Sequence, residues 1–192
     1  NEGLGSLDDG TLYLIARTSD RAGNSAYAPL FSIELDTQAE ITISSAATAT
    51  MDNVINSSEQ TSAPLGGDSA GIESGQVLDI QLTDATGLML AGTATVGAGG
   101  DWSASLDITS LADGDIDFIV SGEDVAGNPA GDSYVFHKDA TAQITAQFND
   151  PDDVINASEA GGILLSGSVL DVEDGQPVLV QVADASGGQV NL

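Results

Sequence analysis

Carboxylates are the only side chains present in enough number here to do chemistry. The 192-residue chain carries 30 aspartates and glutamates against three basic residues, Arg17, Arg21 and Lys138, for a formal net charge of -27. A folded chain this acidic repels itself, so its acids call for a counter-charge. Oxygen-only donors suit calcium better than zinc or copper, which makes Ca2+ the expected cofactor. Two other chemistries are weaker. Residues 67–71, Gly-Asp-Ser-Ala-Gly, fit the nucleophile pattern Gly-x-Ser-x-Gly, which works on a strained strand-to-helix turn beside a histidine base. No helical pattern follows, and the corresponding stretch 167–171 has Val169 where the serine stands. The one histidine, His137, reads as an exposed strand-end residue, because zinc sites draw on several His or Cys. The chain is expected not to be an enzyme.

Composition narrows the partners. Nucleic acid repels such a polyanion, since binding there needs Lys and Arg to displace counterions. An anionic membrane surface is unattractive for the same reason. No run of about 18 apolar residues is present, so no segment reads as a membrane-inserting helix. Acidity can also signal disorder, but 41% of the residues are hydrophobic, and runs such as Leu12-Tyr13-Leu14-Ile15 and Val178-Leu179-Val180 are strand material. There is no cysteine. An extracellular protein without disulfides must gain rigidity from packing or from metal clips.

The elements that position the acids repeat. Residues 7–24 realign with 111–128, so that Asp20 falls on Asp124 and Leu-x-Asp-Gly recurs. Asp36-Thr-Gln-Ala-Glu-Ile-Thr realigns with Asp139-Ala-Thr-Ala-Gln-Ile-Thr. Residues 52–59, Asp-Asn-Val-Ile-Asn-Ser-Ser-Glu, recur as 152–159, and residues 72–87 recur as 172–187. Four matches at spacings near one hundred divide the chain into the back of one module (1–36), a whole module (37–139) and the front of a third (140–192). The chain thus reads as an excerpt of a longer polypeptide. A period of this length is too long for a solenoid repeat and has the size of a sandwich domain. Within the whole module, short alternating segments predict strands over about 39–45, 54–56, 62–68, 76–83, 88–96, 102–107, 115–123 and 132–138. Gly, Asn, Asp and Ser clusters separate them. The expected fold is all-β: tandem immunoglobulin-like antiparallel β-sandwiches in a linear array.

Five elements of the pattern carry a resemblance. They are Asp-x-Val-Ile-Asn-x-x-Glu from Asp52 to Glu59, Glu-x-Gly-Gln from Glu73 to Gln76, and Gly-Asp-Trp-Ser from Gly100 to Ser103. Leu-x-Asp-Gly from Leu111 to Gly114 and Asp-x-Ala-Gly-Asn from Asp124 to Asn128 complete the set. Together they resemble the bacterial immunoglobulin-like repeats of giant type I-secreted adhesins, over essentially the whole chain. The resemblance implies extender domains that bind calcium at their junctions, in a surface-attached extracellular protein of a Gram-negative bacterium. The glycine-rich calcium-binding nonapeptide of the secretion-signal region in such proteins is absent, which would place these residues in the repeat region.

Alternating strand directions sort the acids into two groups. Glu73 and Asp124 fall at the N-terminal end of the whole module, where the linker residue Asp36 arrives. Asp52, Glu59 and Asp113 fall at the far end, near the next linker residue, Asp139, and Glu173 of the following module. Such groups could supply the six to eight oxygens at about 2.3–2.6 Å that calcium takes. The competing reading makes them ordinary turn residues, since Asp favours turns for backbone reasons. Trp102 is expected in the core, and Lys138 with Asp139 in a weak surface pair. The acceptor-like Asn56-Ser-Ser58 and Asn156-Ala-Ser158 belong to the repeated Val-Ile-Asn element. The function read from this is mechanical: an extender whose partners are the neighbouring modules of its own chain, each adding about 35–45 Å. The alternative is a module that binds carbohydrate or protein at an adhesin tip. Aromatics make up only 4% of the chain, and Tyr13, Phe118, Tyr134 and Phe136 lie in predicted strands, which favours the extender.

Overall fold

Alternation of apolar and polar residues is the local cause of nearly every element found. The computed structural model describes residues 3–44, 53–150 and 152–192. The chain divides into two compact units, Asn1–Asp139 and Ala140–Leu192. Among the described residues there is no α-helix, only one 3-10 turn at Gln60–Ser62.

In the first unit, four short strands come first: β1 (Gly10–Leu14), β2 (Arg17–Ser19), β3 (Ser25–Tyr27) and β4 (Phe31–Leu35). They form two antiparallel ladders, β1 with β4 and β2 with β3. Next come β5 (Glu40–Ile43), β6 (Val54–Ile55), β7 (Ala63–Ala70), β8 (Val77–Asp84) and β9 (Met89–Val96). The strands β10 (Asp101–Leu106), β11 (Gly114–Glu123) and β12 (Pro129–Lys138) complete the unit. These eight make one hydrogen-bonded sheet in the order β5-β7-β10-β9-β8-β11-β12-β6. The sheet curls on itself. β5 packs against β11 and β12, and the Ile43 N–H donates to an Asp132 carboxylate oxygen on β12 at 2.8 Å. The strands read from the sequence for residues 37–139 are all present, although β12 starts earlier than expected, at Pro129. Pro129 lies opposite Glu123 at the open end of its ladder, where its missing N–H is tolerated.

The core lies inside this curl. On β8, Leu78, Ile80 and Leu82 are buried and their neighbours face outward. On β11 the inward residues are Ile116, Phe118 and Val120. Trp102, the second residue of β10, is 2% exposed. Its ring meets Phe118 edge-on, with centroids 6.3 Å apart, and its indole N–H donates to the Asp68 carbonyl at 3.2 Å. The expected core role of Trp102 is what the structure has.

Burial differs sharply between copies of the repeat. Gly10 opposite Leu35 in β1–β4 matches Gly114 opposite Lys138 in β11–β12. Four residues on from each glycine, Leu14 is 64% exposed while Phe118 is 1% exposed. In the second unit, β13 (Gln143–Phe148) pairs with β14 (Leu165–Leu170), and β15 (Gln181–Ala183) with β16 (Gln189–Asn191). Ile144, Leu165, Val169 and Val178 line an open apolar trough of about 600 Å³ in that unit.

Candidate metal centre

A turn recurs four times, and it decides what several of the acids do. Asp20-Arg-Ala-Gly23, Asp84-Ala-Thr-Gly87, Asp124-Val-Ala-Gly127 and Asp184-Ala-Ser-Gly187 each join two strands. The glycine takes a positive φ in every copy, between 86° and 94°, a region that costs other residues strain. Its N–H donates to the carbonyl of the aspartate, as from Gly87 to Asp84 at 2.9 Å. The carboxylate then folds over the turn. On Asp84 one oxygen accepts the N–H groups of Thr86 (2.9 Å) and Leu88 (3.0 Å) and the Thr86 hydroxyl (2.6 Å). Its other oxygen accepts the Ala112 N–H at 2.8 Å, tying the β8–β9 hairpin to the loop before β11.

These hydrogen bonds stabilise the ionised form. The Thr86 hydroxyl foremost, then the Ala112 N–H, hold the buried Asp84 carboxyl down from 3.8 to about 2, against the opposing effect of burial. Asp20 is lowered chiefly by the Asn24 amide, and Asp184 chiefly by the Gly188 N–H. At Asp124 burial pushes upward most strongly, but the Asn128 amide and the turn N–H groups together outweigh it. A depressed carboxyl contributes stability that is present above its ordinary value and lost as pH falls through the folded one. Thermal stability should therefore fall between about pH 4 and pH 2, and Asp84→Asn should lower Tm at neutral pH while flattening that acid limb. A melting temperature constant from pH 4 to pH 2 would contradict the assignment.

The acids expected at the N-terminal end of residues 37–139 do meet at one turn. Asn128 donates through its amide to the Asp124 carboxylate at 2.6 Å and to the Asp36 carbonyl at 3.2 Å. Glu73 accepts the Val125 N–H in the same turn at 2.9 Å. Asp36, Glu73 and Asp124 are thus joined through residues 124–128, though Asp36 takes part with its backbone oxygen. Beside them an open polar pocket of about 660 Å³ is lined by Asp9, Asp36, Thr37, Glu40, Gly71 and Asn128, among others. Asp9 was missed in the sequence reading; its carboxylate accepts the Thr37 N–H at 3.2 Å and the Thr37 hydroxyl at 2.7 Å. The signal for it lay in Leu-x-Asp-Gly, which pairs Asp9 with Asp113.

At the other end of the ten-residue strand β11, Asp113 immediately precedes Gly114. Glu59 closes its own turn, accepting the Asn56 N–H at 3.0 Å. The Asp139 N–H donates to the Ile55 carbonyl at 2.9 Å. Asp113 accepts from the Lys138 ammonium at 2.6 Å. Lys138 is 4% exposed, so the surface pair expected with Asp139 gives way to an inward-facing one with Asp113. Asp52 lies outside the described residues. Glu173 belongs to the second unit, where its carbonyl accepts the Gln176 N–H at 3.3 Å.

The donor set is all oxygen, as calcium prefers. Among the described residues, no three His, Asp or Glu side chains converge closely enough to hold a metal ion. Ser69 lies in the extended strand β7 and its hydroxyl donates to the Gly100 carbonyl at 2.9 Å. His137 pairs with Asp115 at 3.0 Å at the surface. Among the described residues no helix is long and apolar enough to cross a membrane.

The likeness to bacterial immunoglobulin-like adhesin repeats is met again among solved structures. A tetra-tandem repeat from the extending region of a large adhesion protein is 30% identical over 97% of this chain, with a TM-score of 0.48. A Ca2+-stabilized adhesin with which an Antarctic bacterium binds ice is 25% identical over 98% of the chain, with a TM-score of 0.40. An immunoglobulin-like domain of the M. primoryensis ice-binding adhesin is 25% identical over 55% of the chain and 97% of its own length, with a TM-score of 0.36. The chain spans 45% of the length of the first and 56% of the second. No family model and no curated protein matches.

Proposed function

We propose that this chain is an extender segment of a large bacterial surface adhesin, made of immunoglobulin-like modules at 1–36, 37–139 and 140–192 and stiffened by calcium where modules join. It does no catalysis; it sets the distance between a cell and whatever the adhesin grips. The observation that carries the reading is the recurrence of linker aspartates at Asp36 and Asp139, with Asp36 tied through Asn128 to the Asp124 turn. The bare apolar faces of residues 1–36 and 140–192 support the division, since their counterparts in 37–139 are core.

In this reading calcium draws the oxygens of Asp36, Glu73 and Asp124, which meet at one turn without converging on a common point, together at the first junction, and the ion supplies the counter-charge the acids need. Calcium that binds only the folded state should raise stability by about 2.7 kcal/mol per site at a hundredfold excess over its dissociation constant. The linkers lack the Gly/Ser or Pro runs of flexible or extended spacers. Chelation should therefore loosen the junctions while each module stays folded, and Glu73→Gln should do so at one junction. Small-angle scattering of a multi-module chain tests this. Its maximum dimension should fall with chelator and recover with calcium, and a dimension indifferent to calcium would overturn the clamp.

A further inference from the structure

Along most of β9 one edge of the strand has no neighbouring ladder among the described residues. β9 pairs with β8 from Met89 opposite Thr83 to Thr95 opposite Val77. On its other side β10 pairs with it only at Thr95 and Val96. Past Ser103 the two strands part, and Leu106 packs against Gly92 on the core side of the opening. The Asp84 N–H donates to the Leu88 carbonyl and the Val96 N–H to the Gln76 carbonyl, so the even-numbered residues of this strand bond toward β8. Hydrogen-bonded and non-hydrogen-bonded pairs alternate in an antiparallel ladder. Met89, Ala91 and Thr93 therefore turn their N–H and C=O groups away from β8, toward the open edge.

An open edge is a template for another strand, and folds protect such edges with charge, proline or a covering segment. β5 is protected in this way, since the Asp132 carboxylate accepts the Ile43 N–H at 2.8 Å. β9 has none of these devices. Its sequence, Met-Leu-Ala-Gly-Thr-Ala-Thr-Val, holds no charge and no proline, and residues 85–100 make the longest uncharged stretch of this acidic chain. Leu88 and Met89 are 46% and 58% exposed, and Ala91 and Thr93 are exposed beside them. The third copy differs. There Gln189 and Asn191 stand at the places of Met89 and Ala91, and their amide oxygens accept from the Gln181 side chain.

We propose that β9 docks a second copy of this chain, edge to edge and antiparallel, with Ala91 on the twofold axis and Met89 opposite Thr93 of the other copy. Charge selects both the partner and the place. Two chains of net charge -27 repel each other over most of their surface, but here the approaching strands carry no acid. A twofold contact needs one self-complementary strip, and this edge offers its twin the same alternating donors and acceptors. So short a ladder buries less than the roughly 1,200 Å² of a stable interface, and a single contact is weak. Modules side by side in two long chains add such contacts together. The outcome is lateral pairing of chains, which the spacing role does not require and which does not depend on calcium.

The test uses the full 192-residue chain in chelator, followed by sedimentation over a range of protein and salt concentrations. The parent chain should pass from monomer to dimer as its concentration rises, and more readily at high salt, because screening removes the repulsion and leaves an uncharged contact. Ala91→Asp sets two carboxylates face to face at the axis, on an exposed position, and should weaken the dimer roughly tenfold or more. Ala91→Pro removes an edge N–H without touching the ladder to β8 and should act in the same direction; circular dichroism shows that each variant is folded. The chain has no cysteine, so Gln81→Cys or Ser133→Cys carries a single spin label. Ser133 on β12 lies two strands beyond Gln81 on β8, and label-to-label distances across the dimer should be clearly shorter at Gln81 than at Ser133. A parent chain that stays monomeric under every condition would overturn the proposal. So would a dimer that Ala91→Asp leaves unchanged, which would put the contact on the bare faces of residues 1–36 or 140–192, or one whose labels are closer at Ser133.

Discussion

Trp102→Ala should destabilise residues 37–139 by about 3–5 kcal/mol, as large-to-small substitutions of a buried aromatic do. The indole fills the centre of the curl against Phe118. Its N–H also satisfies the Asp68 carbonyl on β7, so truncation opens a cavity and leaves an acceptor without its donor. Trp102→Phe separates the two effects: it restores most of the packing but not the hydrogen bond, and should cost about 1–3 kcal/mol. Trp102 is the only tryptophan, so unfolding of both variants is followed by circular dichroism in denaturant. A loss below about 1 kcal/mol for Trp102→Ala would mean that the core is organised around some other residue.

The next largest effect is expected from Gly67→Ala. A Cβ at residue 67 would lie 1.9 Å from the Thr42 carbonyl oxygen and 2.8 Å from Cζ2 of Trp102. Both obstacles are fixed, one in the β5–β7 ladder and the other in the core. The substitution therefore has to separate β5 from β7, at about 3 kcal/mol or more. Gly92→Ala makes the comparison: there the nearest atom, at 2.7 Å, is a methyl of Leu106 that can turn aside, and the loss should be much smaller. Equal losses for the two would refute the backbone argument. The third copy repeats the constraint at Gly167, where a Cβ would lie 2.2 Å from the Thr145 carbonyl. This close approach, rather than a nucleophile, accounts for the glycine that begins the Gly-x-Ser-x-Gly match.

Periodicity carried the fold. Strands such as Val77–Asp84 and Gly114–Glu123 alternate in sequence because one face of each is buried, and turn residues mark where the chain must reverse. Those two causes act over a few residues, so they can be read without coordinates. The repeat, the all-β class and the abundance of oxygen donors are of this local kind. The fourfold Asp-x-x-Gly turn was equally readable, and it would have pointed to Asp84, whose carboxylate turned out to anchor a hairpin to a distant loop.

Partnership across the fold is of another kind. Alternation places Lys138 on the same face as Phe136, yet it cannot say that the register of β11 on β12 sets Asp113 beside it. Nor can spacing distinguish a linker aspartate that offers its side chain from one that, like Asp36, offers its backbone carbonyl to Asn128, 92 residues away. Such contacts are made only when the strands have paired and packed, so which oxygens are already bonded and which remain for a cation is settled by the folded chain. Residue type determines that an acid can bind a cation; three-dimensional neighbours determine whether its cation is a metal ion, an ammonium or the N–H groups of its own turn.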